Sequence, residues 1–170
     1  MAKPNLGAVI SSIVDPMVSD NFDLSISSVP GGGGNVTPLL MQCQQATKPG
    51  MTVENVEVAL FGHTIEYAGR MTFSHDLSVT YVENRKAEIT NLLEGWAQYI
   101  RETQSQHGHY KADYMRDAKL TIYDQTGATV STYNIKNCWV ATVPEVQFDG
   151  SSANLITLQA SFKYDWYEKV

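Results

Sequence analysis

Polar and apolar side chains alternate along most of this chain. Phe22, Leu24 and Ile26 interleave with Asp23, Ser25 and Ser27, the period-two pattern of a half-buried strand. Pro30 opens the tract Gly31-Gly32-Gly33-Gly34-Asn35, a flexible connection, and Leu39 to Gln44 reads as a second strand. Lys48-Pro49-Gly50 is a turn signal. Val56, Val58 and Leu60 then run up to Gly62-His63, and Ile65, Tyr67 and Gly69 return, which predicts a hairpin. From Thr72 to Val82 the alternation predicts one strand of about eleven residues, rising over about 30 Å. It sets Phe73, His75, Leu77, Val79 and Tyr81 on one face and Thr72, Ser74, Asp76, Ser78 and Thr80 on the other.

One helix interrupts the strands. After Asn84, a candidate N-cap, Ile89, Leu92, Leu93, Trp96 and Ile100 fall on one face at helical spacing, opposite Glu88, Asn91, Glu94, Gln98 and Arg101. Strands then resume. Lys119 to Tyr123 and Thr129 to Ile135 flank the turn Asp124–Gly127, and Cys138, Val140, Val146 and Phe148 continue the alternation, broken at Pro144. The last strand places Ile156, Leu158, Ala160, Phe162, Tyr164 and Trp166 on one face, with Thr157, Gln159, Ser161, Lys163 and Asp165 on the other. About eight strands and one helix predict a mainly β class: an antiparallel β-barrel or sandwich with one flanking α-helix.

The length, 170 residues, suits one domain, read as an N-terminal arm over 1–20 and a β domain over 21–170. A chain of this size buries roughly 70% of its unfolded surface, enough for a core. Twelve basic against eighteen acidic side chains give a net charge of −6, and the densest basic cluster, Arg85-Lys86, is flanked by Glu83 and Glu88. Stable binding to nucleic acid is disfavoured by that sign. Cys43 and Cys138 stand apart with no metal-ligand spacing, so both read as buried thiols in a reducing compartment. Nothing approaches the ~20 apolar residues of a membrane span, so no membrane anchor is expected. The reading is a soluble, cytoplasmic chain.

Candidate chemistry is thin. Ser74-His75-Asp76 has the letters of a hydrolase triad, but consecutive strand residues point to opposite faces. His107 and His109 lie in a polar loop with no third ligand at usable spacing. Glu57 and Glu66 can lie close together across the hairpin, and read as surface carboxylates without a companion base or nucleophile. No enzyme, cofactor or metal site is expected. The two long strands are more informative. Each has a polar face rich in Thr, Ser and Gln, and unprotected edges are an association hazard. Pattern alone leaves two readings open: sheets joined between subunits to close a ring, or a closed monomeric barrel, which in one version binds a small ligand.

Several stretches resemble the tail tube proteins of contractile-tailed bacteriophages. They are Lys48-Pro49-Gly50, the hairpin Phe61 to Gly69, Thr72-Phe73-Ser74, and Glu94-Gly95-Trp96 on the helix. The likeness continues through Lys119-Leu120-Thr121-Ile122, Tyr133-Asn134-Ile135, Asn137-Cys138-Trp139 and the aromatic close Leu158 to Trp166. Its order and spacing cover roughly residues 20–168.

The resemblance implies a ring-forming tail tube fold with no catalytic residues to transfer. Six copies would form a ring, and rings would stack into a hollow tube inside a contractile sheath. Partners would be the chain itself, the tail sheath protein, and the baseplate and tail terminator proteins; DNA would pass through without specific binding. The protein would reside in the virion tail after assembly in the host cytoplasm. Related tubes occur in type VI secretion and in bacteriocin-like particles, which stand as alternatives. Candidate lumen or ring-facing positions are Thr72, Ser74, Asp76, Ser78, Thr80, Thr157, Gln159, Ser161 and Lys163. Candidate stacking positions are Asp20, Gly32, Gly33, Lys48 and Pro49, within the 1–20 arm, the 30–36 loop and the 45–55 connection.

Overall fold

The computed structural model describes residues 17–31, 34–149, 151 and 153–170. The elements run β1 (Phe22–Ile26), α1 (Thr37–Met41), β2 (Cys43–Ala46), β3 (Met51–Leu60), β4 (His63–Phe73), β5 (Asp76–Val82), α2 (Glu88–Ile100), α3 (Lys111–Tyr114), β6 (Arg116–Tyr123), β7 (Thr129–Thr142), β8 (Thr157–Lys163) and β9 (Trp166–Lys169). Seven strands join in one antiparallel sheet in the order β1-β6-β7-β8-β5-β2, with β9 also paired to β7. Strands β3 and β4 form a separate two-stranded ribbon. The class is therefore mainly β and antiparallel. The path ends at β1 and β2, which among the described residues do not pair to close a barrel.

Strand β7 is the spine. Its first half pairs with β9 and its second half with β8, so β8 and β9 run along the same side of it, interrupted at Tyr164-Asp165. The interruption faces Asn137, whose backbone is left-handed at φ 58° and marks a shift in the β6–β7 register. This corrects the single C-terminal strand expected to end with Trp166 inward. The break changes the parity, so Tyr167 is buried at 8% exposure while Trp166 remains 41% exposed.

The expected single strand over 72–82 is likewise two strands. Its alternation is intact, but His75 adopts φ 55° and turns the chain between β4 and β5. Two further expectations change for reasons of proline chemistry. Pro38 sits in the first turn of a short helix, α1, where a missing N–H costs nothing, so the second strand begins only at Cys43. Beyond Thr142 the chain leaves the sheet near Pro144, and Phe148 lies 79% exposed outside any strand.

The helix forms as its periodicity predicts. Ile89, Leu92, Leu93 and Trp96 are buried, and the Trp96 indole donates to the Tyr114 carbonyl at 2.9 Å. Its first turn is held from outside the helix. The Glu83 carboxylate accepts from the backbone N–H of Ile89 and Thr90, and the Asn84 side chain accepts from the N–H of Lys86 and Glu88. Tyr81, Trp96, Phe162 and Tyr164 are the largest fully buried side chains, and Trp96 and Phe162 pack with ring centroids 5.9 Å apart.

Candidate assembly surface

The ribbon β3–β4 is the feature the core does not explain. Its strands have 10 and 11 residues, a length of about 33 Å, and almost every side chain on it is exposed. Yet it carries many large apolar side chains. Met51, Val53, Val56, Val58, Leu60, Ile65, Tyr67 and Met71 are each 36–54% exposed. A two-stranded ribbon is marginal in water by itself, and this one exposes apolar side chains along its whole length.

The local geometry follows from two glycines. At the tip, Phe61 (φ 51°) and Gly62 (φ 82°) make the two-residue turn with both φ values positive that matches strand twist. Glycine adopts this conformation freely; phenylalanine does not, and its ring is fully exposed. Nearer the base, the register shifts between Val53 and Asn55, because Val53 faces Met71 while Asn55 faces Ala68. The additional residue lies in β4 around Gly69, where a side chain would meet the Glu54 carbonyl at 3.0 Å. Beyond the shift Glu57 stands directly opposite Glu66, a like-charge cross-strand pair.

The arm meets the body at a compact joint. Ser74 donates its N–H to the Gly50 carbonyl, and its hydroxyl lies 2.7 Å from the Tyr164 hydroxyl. His75 Nδ1 lies 2.9 Å from the Tyr164 carbonyl oxygen. Phe73 packs edge-on to Tyr167 at 5.4 Å, and the Lys48 ammonium sits 5.4 Å from the Tyr133 ring centroid. Ser74 and His75 thus both engage Tyr164, at its hydroxyl and its carbonyl, while Asp76 turns to Ser161 and Lys163, so the three do not form a triad.

The sequence-predicted polar positions divide accordingly. Asp76, Ser78 and Thr80 of β5 pair in register with Lys163, Ser161 and Gln159 of β8, and Thr157 lies opposite Val82. This brings seven of the nine positions onto one pair of strands. The Lys163 ammonium donates to Asp76 at 2.8 Å and the Ser161 hydroxyl at 3.0 Å, and these bonds hold the Asp76 carboxyl below its ordinary range. The face is thus hydroxyl-rich, with its one cation and one anion paired to each other. Thr72 belongs to the arm, bonded to the Thr52 carbonyl, and Ser74 to the joint. Among the stacking positions, Asp20 and Lys48 are exposed and Pro49 is buried, while Gly32 and Gly33 lie outside the described residues. Residues 51–55 of the expected 45–55 connection are the start of β3.

A family model for the phage tail tube protein matches residues 18–170. The chain belongs to the phage tail tube protein family. Solved structures agree on this fold. A chain of the sheath/tube terminator of an extracellular contractile injection system, PVC, aligns with TM-score 0.67 and 13% identity over 94% of this chain and 99% of that one. A chain of the PVC sheath–tube complex aligns with TM-score 0.61 and 12% identity over 99% of both. A chain of the anti-feeding prophage baseplate, 6-fold symmetrised, gives TM-score 0.65 and 12% identity over 93% of this chain and 97% of that one. No curated protein matches at a significant level. Family and neighbours are structural tube components rather than enzymes.

The sequence announces the hairpin at its tip but not that the ribbon stands apart from the core with its apolar side chains exposed. The available signal was the mixture of apolar side chains with glutamates on both faces of one ribbon, Glu57 and Glu66 on the face of Val53 and Glu54 on that of Val56. A core strand with its partner glutamates would have to bury one of the two sets.

Proposed function

We propose that this chain is the tube subunit of a contractile phage tail, six copies forming a ring and rings stacking into the hollow conduit for DNA ejection. The observation that carries the reading is the exposed apolar arm: a family member with this arm has a surface made for further copies of itself. Its two strands supply 10 and 11 residues, near the roughly 20–30 that a stable interface takes from each side. The sheath, baseplate and terminator proteins are the further partners, in line with the assemblies from which the similar structures come. Assembly in the host cytoplasm places the product in the virion tail. Residues 1–20 act as an arm and 21–170 as the tube domain.

The face Asp76, Ser78, Thr80, Thr157, Gln159, Ser161 and Lys163 is proposed to line the lumen, with Thr72 and Ser74 at its arm end. Its internal ion pair and neutral hydroxyls give DNA no unpaired cation to hold, which suits sliding. Asp20, Gly32, Gly33, Lys48 and Pro49 are proposed to act in ring stacking. A second reading, the tube of a contractile injection particle, is favoured by the similarity to PVC and anti-feeding prophage chains. A monomeric ligand-binding barrel fits poorly, since Tyr81, Trp96, Phe162 and Tyr164 fill the interior.

The test is replacement of residues 51–73 by a short Gly-Ser linker. The body should keep its cooperative unfolding, because its core uses no residue of the ribbon beyond Phe73, and should remain monomeric where the intact chain assembles. Assembly of the armless chain at the same concentration would overturn the reading.

A further inference from the structure

We propose that Tyr164 latches the arm to the body at two points, its hydroxyl holding Ser74 and its backbone carbonyl holding His75, so that the arm keeps one direction in the free chain. This goes beyond the tube reading and stands apart from it, because it concerns a single chain. Among the described residues no strand pairing joins the β3–β4 ribbon to the seven-stranded sheet. The arm's direction is therefore set where the chain enters and leaves it, at Lys48-Pro49-Gly50 and at Ser74-His75. A ribbon about 33 Å long magnifies any freedom there, since a change of ~20° at the root moves the tip by roughly 11 Å.

Both roots close on the segment where β8 and β9 break. The Tyr164 hydroxyl lies 2.7 Å from Ser74 Oγ, and the Tyr164 carbonyl lies 2.9 Å from His75 Nδ1. A carbonyl only accepts, so Nδ1 carries the proton of this bond. His75 holds a left-handed φ of 55°. A side chain of this size keeps that conformation only where its surroundings hold it, and here the imidazole is tied to Tyr164. Phe73 packs on Tyr167 at 5.4 Å. The Lys48 ammonium of the other root sits over Tyr133, whose ring meets that of Tyr167 at 6.0 Å. The Ser74 N–H, bonded to the Gly50 carbonyl, ties the two roots to each other.

Tyr164 is itself held from outside the arm. The neighbouring Asp165 carboxylate accepts from Lys111 of α3 at 2.6 Å and from Asn137 of β7 at 2.8 Å. The Asp165 N–H donates to the Lys136 carbonyl at 3.1 Å. These bonds fix the Tyr164 carbonyl against β7 and α3 without help from the arm. The Tyr164 ring is buried, and phenylalanine would fill the same interior space. The hydroxyl is thus the part of the side chain that addresses the arm's root. An arm already aimed loses less freedom when another surface covers it.

Pulsed electron spin resonance on dilute single chains tests this. Spin labels go on Thr64→Cys near the tip and on Gln125→Cys in the exposed β6–β7 turn, with Cys43→Ala removing the half-buried native thiol. The intact joint should give one narrow distance distribution. Tyr164→Phe removes the hydroxyl point and His75→Ala the imidazole point. Each should broaden the distribution about twofold, as a hinge freed of one constraint does, and the two together should broaden it further. A label pair within the body, Lys86→Cys and Gln125→Cys, should stay equally narrow in every variant. A broad distribution with Tyr164 and His75 both in place would overturn the latch. So would an unchanged width in the doubly substituted chain, or equal broadening of the body pair, which would mean a general loosening of the fold. None of these outcomes bears on the tube reading.

Discussion

Gly69 and Val56 approach so closely across the arm that a methyl group on residue 69 would lie 2.9 Å from Val56 Cγ2. The Glu54 carbonyl stands at 3.0 Å on the same side, so the position has no room for relaxation. The extra residue of β4 that shifts the register sits at this contact. Gly69→Ala is predicted to distort the ribbon and suppress assembly while leaving the body's thermal midpoint within about 1 °C, because the effect is confined to a separate sheet. Circular dichroism melting beside light scattering checks both halves of the expectation.

Phe61 holds a left-handed backbone with its ring fully exposed, a combination that costs about 1–2 kcal/mol for a bulky residue and that asparagine tolerates better. Replacement Phe61→Asn should leave folding intact and raise the concentration required for tube formation at least tenfold, since burying a phenylalanine is worth about 1.5–3 kcal/mol. Unchanged assembly of this variant would show that the tip stays solvated in the tube.

Glu83 supplies the pH dependence of the helix start. Partial burial raises its carboxyl pKa, but hydrogen bonds from the Thr90 hydroxyl and from the N–H groups of Thr90, Asn84 and Ile89 outweigh that and hold it below the ordinary glutamate range. A depressed folded-state value means stability that is present in full above about pH 4.5 and lost as pH falls through the folded value. Glu83→Gln is therefore predicted to destabilise by about 1 kcal/mol at pH 7, a capping-scale effect. The gap between variant and unmodified chain should close in urea titrations as pH falls through the depressed folded-state value, and a constant gap across pH would count against the carboxylate.

Burial pushes the Cys138 thiol up to about 12 and that of half-buried Cys43 up to about 11. Thiolate is the reactive form, so at pH 8 both should label with a disulfide reagent far more slowly than a free thiol of ordinary pKa, Cys43 before Cys138. Full, rapid labelling should appear only in denaturant. Stoichiometric labelling of the native protein within seconds would contradict the packing described around Tyr81 and β7.

The strands and the main helix were largely legible because their signals are local. Phe22–Ile26, the Asp124–Gly127 hairpin and the Ile89–Trp96 stripe need only side-chain periodicity and turn residues. The breaks at His75 and at Tyr164-Asp165 were not, since period-two alternation runs unbroken through both. What stops each strand is a tertiary event: the imidazole of His75 and the Tyr164 carbonyl, and the Asn137 irregularity of β7 facing Asp165. The arm was half legible. Gly62 announces its turn, but Val58 and Ile65 look the same to a sequence reader whether a core or another molecule covers them. Only the folded body shows that its interior is already filled without them.

The most direct test of self-assembly is negative-stain electron microscopy of the purified chain across a concentration series, with light scattering on the same samples. Six-fold rings or stacked hollow tubes are expected, with scattering mass rising in steps of the ring. Single-chain mass at every concentration, with no rings in the images, would contradict it.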